Sequence, residues 1–154
     1  MPLTEHRMPV KRNDAYAFVG SGVIATGSIV FEGALLVADQ ITGLIKPAAD
    51  AGAAGSAFAG VCTNFKSVKT VPTTGVVGDG QAIAEFETNL EVLLPCPGSV
   101  TVADVGNVAY AYDDAIATDD STAGPGIGVF VPGGQETATS AWVRLGAAAL
   151  PDAT

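Results

Sequence analysis

Several residue types are scarce in this chain of 154 residues, and each scarcity excludes a kind of site. Two cysteines, Cys62 and Cys96, are too few and too widely spaced for a zinc knuckle, and we expect both to be buried free thiols. The one histidine, His6, lies outside the part of the chain that has the pattern of a folded domain. A catalytic triad is therefore not expected, and we predict a protein that is not an enzyme and needs no metal or cofactor.

Long apolar runs and basic residues are also scarce. No run approaches the eighteen or so apolar residues of a membrane span, and the start of the chain lacks an apolar signal core, so we expect synthesis in the cytoplasm. The chain has seven Lys and Arg and sixteen Asp and Glu, which gives a formal net charge of −9. Such an acidic body repels nucleic acid and anionic membranes, so neither is expected as a partner.

The N-terminal fourteen residues differ from the rest in charge and pattern. They hold Arg7, Lys11 and Arg12, together with Pro2 and Pro9, and show no apolar period. This pattern predicts an extended arm over residues 1–14, followed by a single domain over residues 15–154. A short basic arm can reach an acidic surface of another protein.

The pattern of residues 15–154 predicts an all-β fold, a small β-barrel or β-sandwich with one short helix. Nineteen glycines and nine prolines disfavour long helices. The helix is expected after Thr101, with Asp104 completing its cap and Gly106 ending it. Residues 47–60 and 71–80 are expected to be loops. Strands are predicted over residues 15–19, 28–31, 35–39, 44–46, 58–65, 81–94, 107–112, 126–131 and 141–145.

One glycine motif allows two interpretations, a dinucleotide-binding loop and a plain turn. Gly20-Ser21-Gly22-Val23-Ile24-Ala25 matches the G-x-G-x-x-A pattern of dinucleotide-binding loops, with Asp39 further on as a possible ribose ligand. The residues that follow are rich in glycine and β-branched side chains, and alternating strands and helices are missing from the pattern. We therefore favour a plain glycine turn and keep a small-ligand or dinucleotide-binding protein as the remote alternative.

Three other groups of side chains allow a functional and a structural interpretation. Asp113, Asp114, Asp119 and Asp120 could hold calcium, but a solvated turn explains them equally well. Glu85, Glu87 and Glu91 could supply a glycosidase carboxylate pair, although a solvated strand face is favoured. The late aromatic residues are expected in the core rather than on a ligand platform; they are Tyr110, Tyr112, Phe130 and Trp142.

The second half of the chain resembles a family of small phage proteins with a domain of unknown function, whose members are sometimes misnamed recombinases. The resemblance rests on residues 101–113 (TVADVGNVAYAYD), residues 126–130 (GIGVF) and residues 141–145 (AWVRL). It is looser over residues 33–37, 43–45 and 58–61. Residues 66–79 and the basic arm depart from the family pattern.

The resemblance implies a capsid decoration or cement protein of a bacteriophage. Such proteins are expected to form small β-barrels or sandwiches, to assemble as trimers, and to bind the major capsid protein on the outer surface of the virion. On this hypothesis Arg7, Lys11 and Arg12 of the arm would contact the capsid. A head fibre base or a tail component is the alternative, because these virion parts share the glycine-rich, all-β composition.

Overall fold

The computed structural model describes residues 2–50, 56–97, 99–132 and 139–146, and it confirms the all-β prediction. Three antiparallel sheets, of six, five and two strands, make up the described chain. The strands are β1 (Lys11–Arg12), β2 (Phe18–Val23), β3 (Ile29–Val30), β4 (Leu35–Asp39), β5 (Ile45–Pro47), β6 (Ser56–Lys66), β7 (Val76–Val77), β8 (Ile83–Thr88), β9 (Glu91–Pro95), β10 (Val108–Ala111), β11 (Ala117–Thr118), β12 (Gly126–Phe130) and β13 (Ser140–Leu145).

The five-stranded sheet curls until its two edge strands meet at one end. Its order is β2-β8-β6-β4-β5, and Ile24, just after β2, forms a parallel bridge with Ile45 of β5. The Ala25 amide donates to the Ile45 carbonyl over 2.8 Å at the same place. The concave side encloses a core of small and medium apolar side chains that includes Leu36, Cys62 and Ala84.

The six-stranded sheet, in the order β1-β9-β13-β12-β10-β11, shares a second core with the outer side of β4 and β6. Leu35 and Val37 point into this second core, whereas Leu36 points into the first. Both faces of β4 are therefore covered. This explains why the apolar run of β4 is continuous instead of alternating with polar residues.

The predicted single strand over residues 81–94 is wrong, because the chain changes sheets in its middle. β8 belongs to the five-stranded sheet and β9 to the six-stranded sheet. Asn89 makes the corner in a left-handed conformation at φ 62°, and its side-chain Nδ2 donates to the Tyr16 carbonyl over 3.0 Å. Asparagine tolerates this conformation better than most residues. The side-chain alternation continues through the corner, so the sequence pattern conceals it.

The predicted short helix is found at the expected place as a 3-10 turn, but the structure has a second such turn that was not predicted. Val102–Asp104 form a single 3-10 turn, in which the Thr101 hydroxyl accepts from the Ala103 amide and the Asp104 carboxylate accepts from the Thr101 amide. A second 3-10 turn, Ala48–Asp50, and the start of β6 lie in the predicted loop over residues 47–60. Likewise β7 lies in the predicted loop over residues 71–80. In the described part of the chain no helix has the length and hydropathy to cross a membrane.

The Gly20 to Ala25 motif lies in and just after strand β2, so both interpretations of it are wrong. A Cβ atom on Gly20 would lie 2.6 Å from Phe86 Cε1, and one on Gly22 would lie 2.6 Å from Ile45 Cγ1. A side chain at either position would therefore require Phe86 or Ile45 to move, because these two side chains fill the space above the strand. After β2 the chain enters a turn and then β3. A dinucleotide loop would instead lead into a helix.

Candidate functional site

The N-terminal residues pack along the body. Here residues 2–12 are called the strap. The Arg7 amide donates to the Glu32 carbonyl over 2.9 Å, and the Leu93 amide donates to the Val10 carbonyl over 2.9 Å. Strand β1 then pairs with β9 at the edge of the six-stranded sheet. The strap thus contacts both halves of the fold. The boundary between an arm and a domain at residue 14 stays a prediction.

Gly33 allows the strap to lie this close to the body. It has φ +90°, and a Cβ atom placed on it would lie 1.9 Å from the Arg7 carbonyl oxygen. Glycine adopts this backbone conformation at little cost, and its missing side chain leaves the space that the strap occupies. The Gly33 amide also donates to the Cys62 carbonyl over 2.8 Å, which fixes the turn on β6.

His6 anchors the strap through both ring nitrogens. Its Nδ1 accepts from the Glu32 amide over 3.0 Å, and its Nε2 lies 2.7 Å from the Pro72 carbonyl oxygen. The ring packs edge-on against Phe31 and Phe65, with centroids 5.4 and 6.3 Å away. The arrangement uses His6 for packing and backbone contacts, which is an anchoring role. Sequence patterns missed it because its partners are distant in the chain.

The acidic cluster contains one more strap contact. Asp114 is buried, and its Oδ1 accepts from the Leu3 amide over 2.9 Å. Burial raises the pKa of Asp114 to about 6, against the lowering effect of the Leu3 hydrogen bond. Asp113 is also buried, and its carboxylate accepts from the amides of Ala115 and Ile116. The expected solvated turn is therefore wrong for these two aspartates.

Asp119 and Asp120 serve the local chain in other ways. Asp119 accepts from the Ser99 hydroxyl over 3.0 Å, and Asp120 accepts from the backbone and hydroxyl of Thr122. The Thr122 side chain and amide together hold the pKa of Asp120 below its usual value. No group of three or more metal-binding side chains comes together among the residues that the structure describes.

Glu91 is the centre of a charged network at the end of the strap. Its Oε1 accepts from Arg12 Nε over 2.6 Å and from Asn13 Nδ2 over 3.0 Å, and its Oε2 accepts from Arg144 Nη1 over 3.1 Å. Arg12 also stacks over the Trp142 ring at 4.0 Å and donates to the Pro132 carbonyl. Burial by itself would raise the pKa of Glu91, but these hydrogen bonds and positive charges hold it below its usual value.

The three glutamates do not share one solvated face. Glu91 is only 7% exposed and belongs to β9, so the expected solvated position is wrong for it. On β8, Glu87 pairs with Lys11 over 3.1 Å and Glu85 pairs with Lys66 over 3.2 Å. Each carboxylate therefore has a basic partner, and the third lies in a different sheet, which is unlike a paired glycosidase site.

The residues predicted to touch the capsid have three different environments. Arg7 is exposed on the strap, while Lys11 is exposed and pairs with Glu87. Arg12 is half-buried in the Glu91 network, so its charge is already engaged within the protein. The Lys11 and Arg12 side chains are equally exposed, at 31%, but Arg12 makes more contacts within the protein, so Arg7 and Lys11 are the two less engaged there.

An exposed apolar segment follows the strap, and no sequence pattern indicated its exposure. Tyr16, Phe18 and Val19 are 83%, 66% and 66% exposed, next to one another at the beginning of edge strand β2. Among the late aromatic residues, Phe130 and Trp142 are buried as expected. Tyr112 is 62% exposed, so its expected place in the core is wrong.

Both cysteines are free and buried, as expected. The Cys62 thiol donates to the Asn64 carbonyl over 3.7 Å, and burial raises its pKa to about 12. Burial also raises the pKa of Cys96, with a further contribution from the negative charge of Asp119. Thiols with raised pKa values are poor nucleophiles at neutral pH.

Comparison with known proteins finds a shared fold in a virus particle. No protein-family model matches the sequence, and neither does any curated protein. A chain in the solved structure of the capsid of Myoviridae phage XM1 superposes with a TM-score of 0.52 at 18% sequence identity. The match covers 95% of this chain and 93% of that chain. The two chains share a fold.

Proposed function

We propose that this protein is a structural component of a bacteriophage virion that binds the outside of the capsid and stabilises it by bridging neighbouring capsid subunits. The observation that carries the proposal is the fold shared with a chain of the phage XM1 capsid, over nearly the full length of both chains. The partner would be the major capsid protein, and the protein would act without a cofactor.

The geometry of the candidate site supports a binding role. The described polar groups act in anchoring and folding: His6 contacts backbone groups, and the acidic residues cap turns or pair with basic side chains. Two raised-pKa thiols add no reactive group. What the surface offers to another molecule is a basic strap on an acidic body and an apolar edge strand.

Two surfaces have separate roles in this proposal. Arg7 and Lys11 of the strap would make electrostatic contacts with acidic groups of the capsid, while Arg12 would hold the strap in position. Copies of the protein would associate as a trimer through strand edges, for which Tyr16, Phe18 and Val19 provide uncharged exposed side chains. Exposed edge strands with few charges favour pairing with another chain.

The decisive experiment uses capsids of the cognate phage that lack this protein. Purified protein is added, the capsids are pelleted, and bound copies per capsid are counted by gel densitometry. We expect saturable binding, with a number of copies per capsid that matches a set of icosahedral sites. The capsids that carry the protein should also survive a higher temperature. Absence of binding, or a copy number that matches a tail or a single vertex, would overturn the decoration role and support a tail or fibre component.

The strap contact is tested with matched basic residues. The double variant Arg7→Ala/Lys11→Ala is compared with Lys66→Ala/Lys69→Ala, which removes two basic residues outside the strap. Only the strap variant is expected to weaken capsid binding and to reduce its dependence on salt. Equal effects of the two variants would contradict the role of the strap. Arg12→Ala is measured separately, because its loss also disturbs the Glu91 network.

A further inference from the structure

The hydrogen bonds of His6 determine its protonation state in the docked strap. The Pro72 carbonyl can only accept, so Nε2 carries the hydrogen; the Glu32 amide can only donate, so Nδ1 carries none. The two partners lie on different segments of the body, one before β4 and one in the loop after β6. The docked strap therefore uses the neutral ring in a single tautomer.

A second proton on the ring is incompatible with this arrangement. Protonation would put a hydrogen on Nδ1, directly facing the Glu32 amide hydrogen at a nitrogen separation of 3.0 Å. That hydrogen bond would be lost and replaced by repulsion. Phe31 and Phe65 against the ring cannot replace this hydrogen bond, because their rings carry no nitrogen or oxygen acceptor for the Nδ1 hydrogen.

Several other charged residues lie on the segments packed around the ring. The charged residues on the segments packed around it are Glu5 and Arg7 of the strap, Glu32 of the turn, and Lys66 and Lys69 around the loop after β6. Histidine is the residue type whose side chain ordinarily changes its charge between about pH 5 and 8. His6 is the only histidine of the chain.

We propose that His6 is a pH-sensitive latch that holds the strap on the body in its neutral form and releases residues 2–10 when its ring takes up a proton. Release would detach the Arg7 backbone from Glu32 and uncover the surface around Gly33. Strand β1 and the Glu91 network lie beyond the latch and would keep the strap attached at residues 11 and 12. The latch is a property of the isolated protein, whatever its partner.

Amide hydrogen exchange tests the latch. The reporters are the amides of Arg7 and Glu32, which bond across the interface between strap and body, and exchange is compared at pH 7.5 and 5.0 after correction for intrinsic rates. Because Asp114 also changes charge near pH 6 and binds the Leu3 amide, the measurements are made in the Asp114→Asn protein. One-proton linkage predicts strap opening that increases by up to about tenfold for each unit by which the pH is lowered.

A non-titrating variant and a body reporter separate the latch from other causes. His6→Gln in the same background is expected to exchange without this pH dependence. The amide of Cys62, which bonds to Ala34 inside the body, is expected to stay protected at both pH values. Unchanged strap exchange at pH 5.0, the same pH dependence in His6→Gln, or equal opening of the body would each overturn the proposal. The proposal would also be overturned if NMR showed a protonated His6 ring while the strap amides stayed protected from exchange.

Discussion

Replacing Glu91 by glutamine is the sharpest test of how the strap is held. Glutamine has nearly the same shape, so the change removes the negative charge without creating a cavity. Glu91 accepts hydrogen bonds from Arg12, Asn13 and Arg144, and it is only 7% exposed. The amide of glutamine would keep one acceptor oxygen and would present donors to a neighbouring arginine.

The expected magnitude follows from these contacts. A hydrogen bond to a charged group contributes about 1.5–3 kcal/mol, and removing one partner of a buried ion pair costs about 3–5 kcal/mol. Both arginines retain some access to solvent, with side-chain exposures of 31% and 44%, which lowers the cost. We expect Glu91→Gln to reduce the free energy of unfolding by about 2–4 kcal/mol, or to lower Tm by roughly 5–15 °C.

Urea unfolding at several pH values measures this effect. The pKa of Glu91 is held below its usual value in the folded protein, so its contribution is present above the pKa of the unfolded chain and is lost as the pH falls through the folded pKa. The difference between wild type and Glu91→Gln should therefore be full above about pH 5 and shrink as the pH falls towards 3.

Glu87→Gln is the matched control. Glu87 pairs with Lys11 on an adjacent strand, but this pair is more exposed to solvent, and its loss should cost less than about 1 kcal/mol. If Glu91→Gln also cost less than about 1 kcal/mol, or if its cost did not change between pH 7 and pH 3, the buried network would not hold the strap as the contacts indicate.

Three further predictions concern Gly33, Asp114 and the thiols. Gly33→Ala should displace the strap, because its Cβ would overlap the Arg7 carbonyl; trypsin should then cleave after Arg7 several-fold faster. Because burial raises the pKa of Asp114, the free energy of unfolding of the wild type should rise by up to about 2–3 kcal/mol as the pH falls from 7 to 4. Urea unfolding of Asp114→Asn should not show this rise. Cys62 and Cys96 should react with a thiol reagent only in denaturant, as followed by absorbance.

Each of these predictions has its own control and contradiction. Gly43→Ala, at a positive φ with open space around it, should leave trypsin cleavage after Arg7 unchanged, and equal cleavage rates for both glycine variants would contradict the close approach. For Asp114→Asn, an unchanged stability difference between pH 4 and pH 7 would contradict a buried carboxylate. Thiol reaction in native buffer as fast as in denaturant would contradict burial of the cysteines.

Local sequence signals predicted much of the fold. Strand β4 begins and ends where its apolar run predicts, and the turn after Thr101 has the expected cap because the hydroxyl and the carboxylate act within four residues. The all-β class followed from short apolar runs between glycines and prolines. These are short-range effects, so the local sequence suffices to determine them.

Long-range contacts were beyond the same signals. The corner at Asn89 keeps the alternation of side chains intact, and the space beside Gly20 and Gly22 is filled by Phe86 and Ile45 from other strands. The arm division, the trimer and the capsid contacts stay predictions. For the strap, the basic charge was visible in the sequence, but its partners were not.

The sequence by itself determined the class of fold, the acidic body, the basic N-terminus and the buried thiols, because composition and local alternation govern these properties. Tertiary structure alone decided that Arg12 is used internally at Glu91, that His6 anchors the strap, and that Tyr16 and Phe18 remain exposed. The physical reason is that a side chain's hydrogen bonds and burial depend on groups brought close by folding, and the hydrogen-bond partners of His6 and Arg12 lie 26 to 120 positions away.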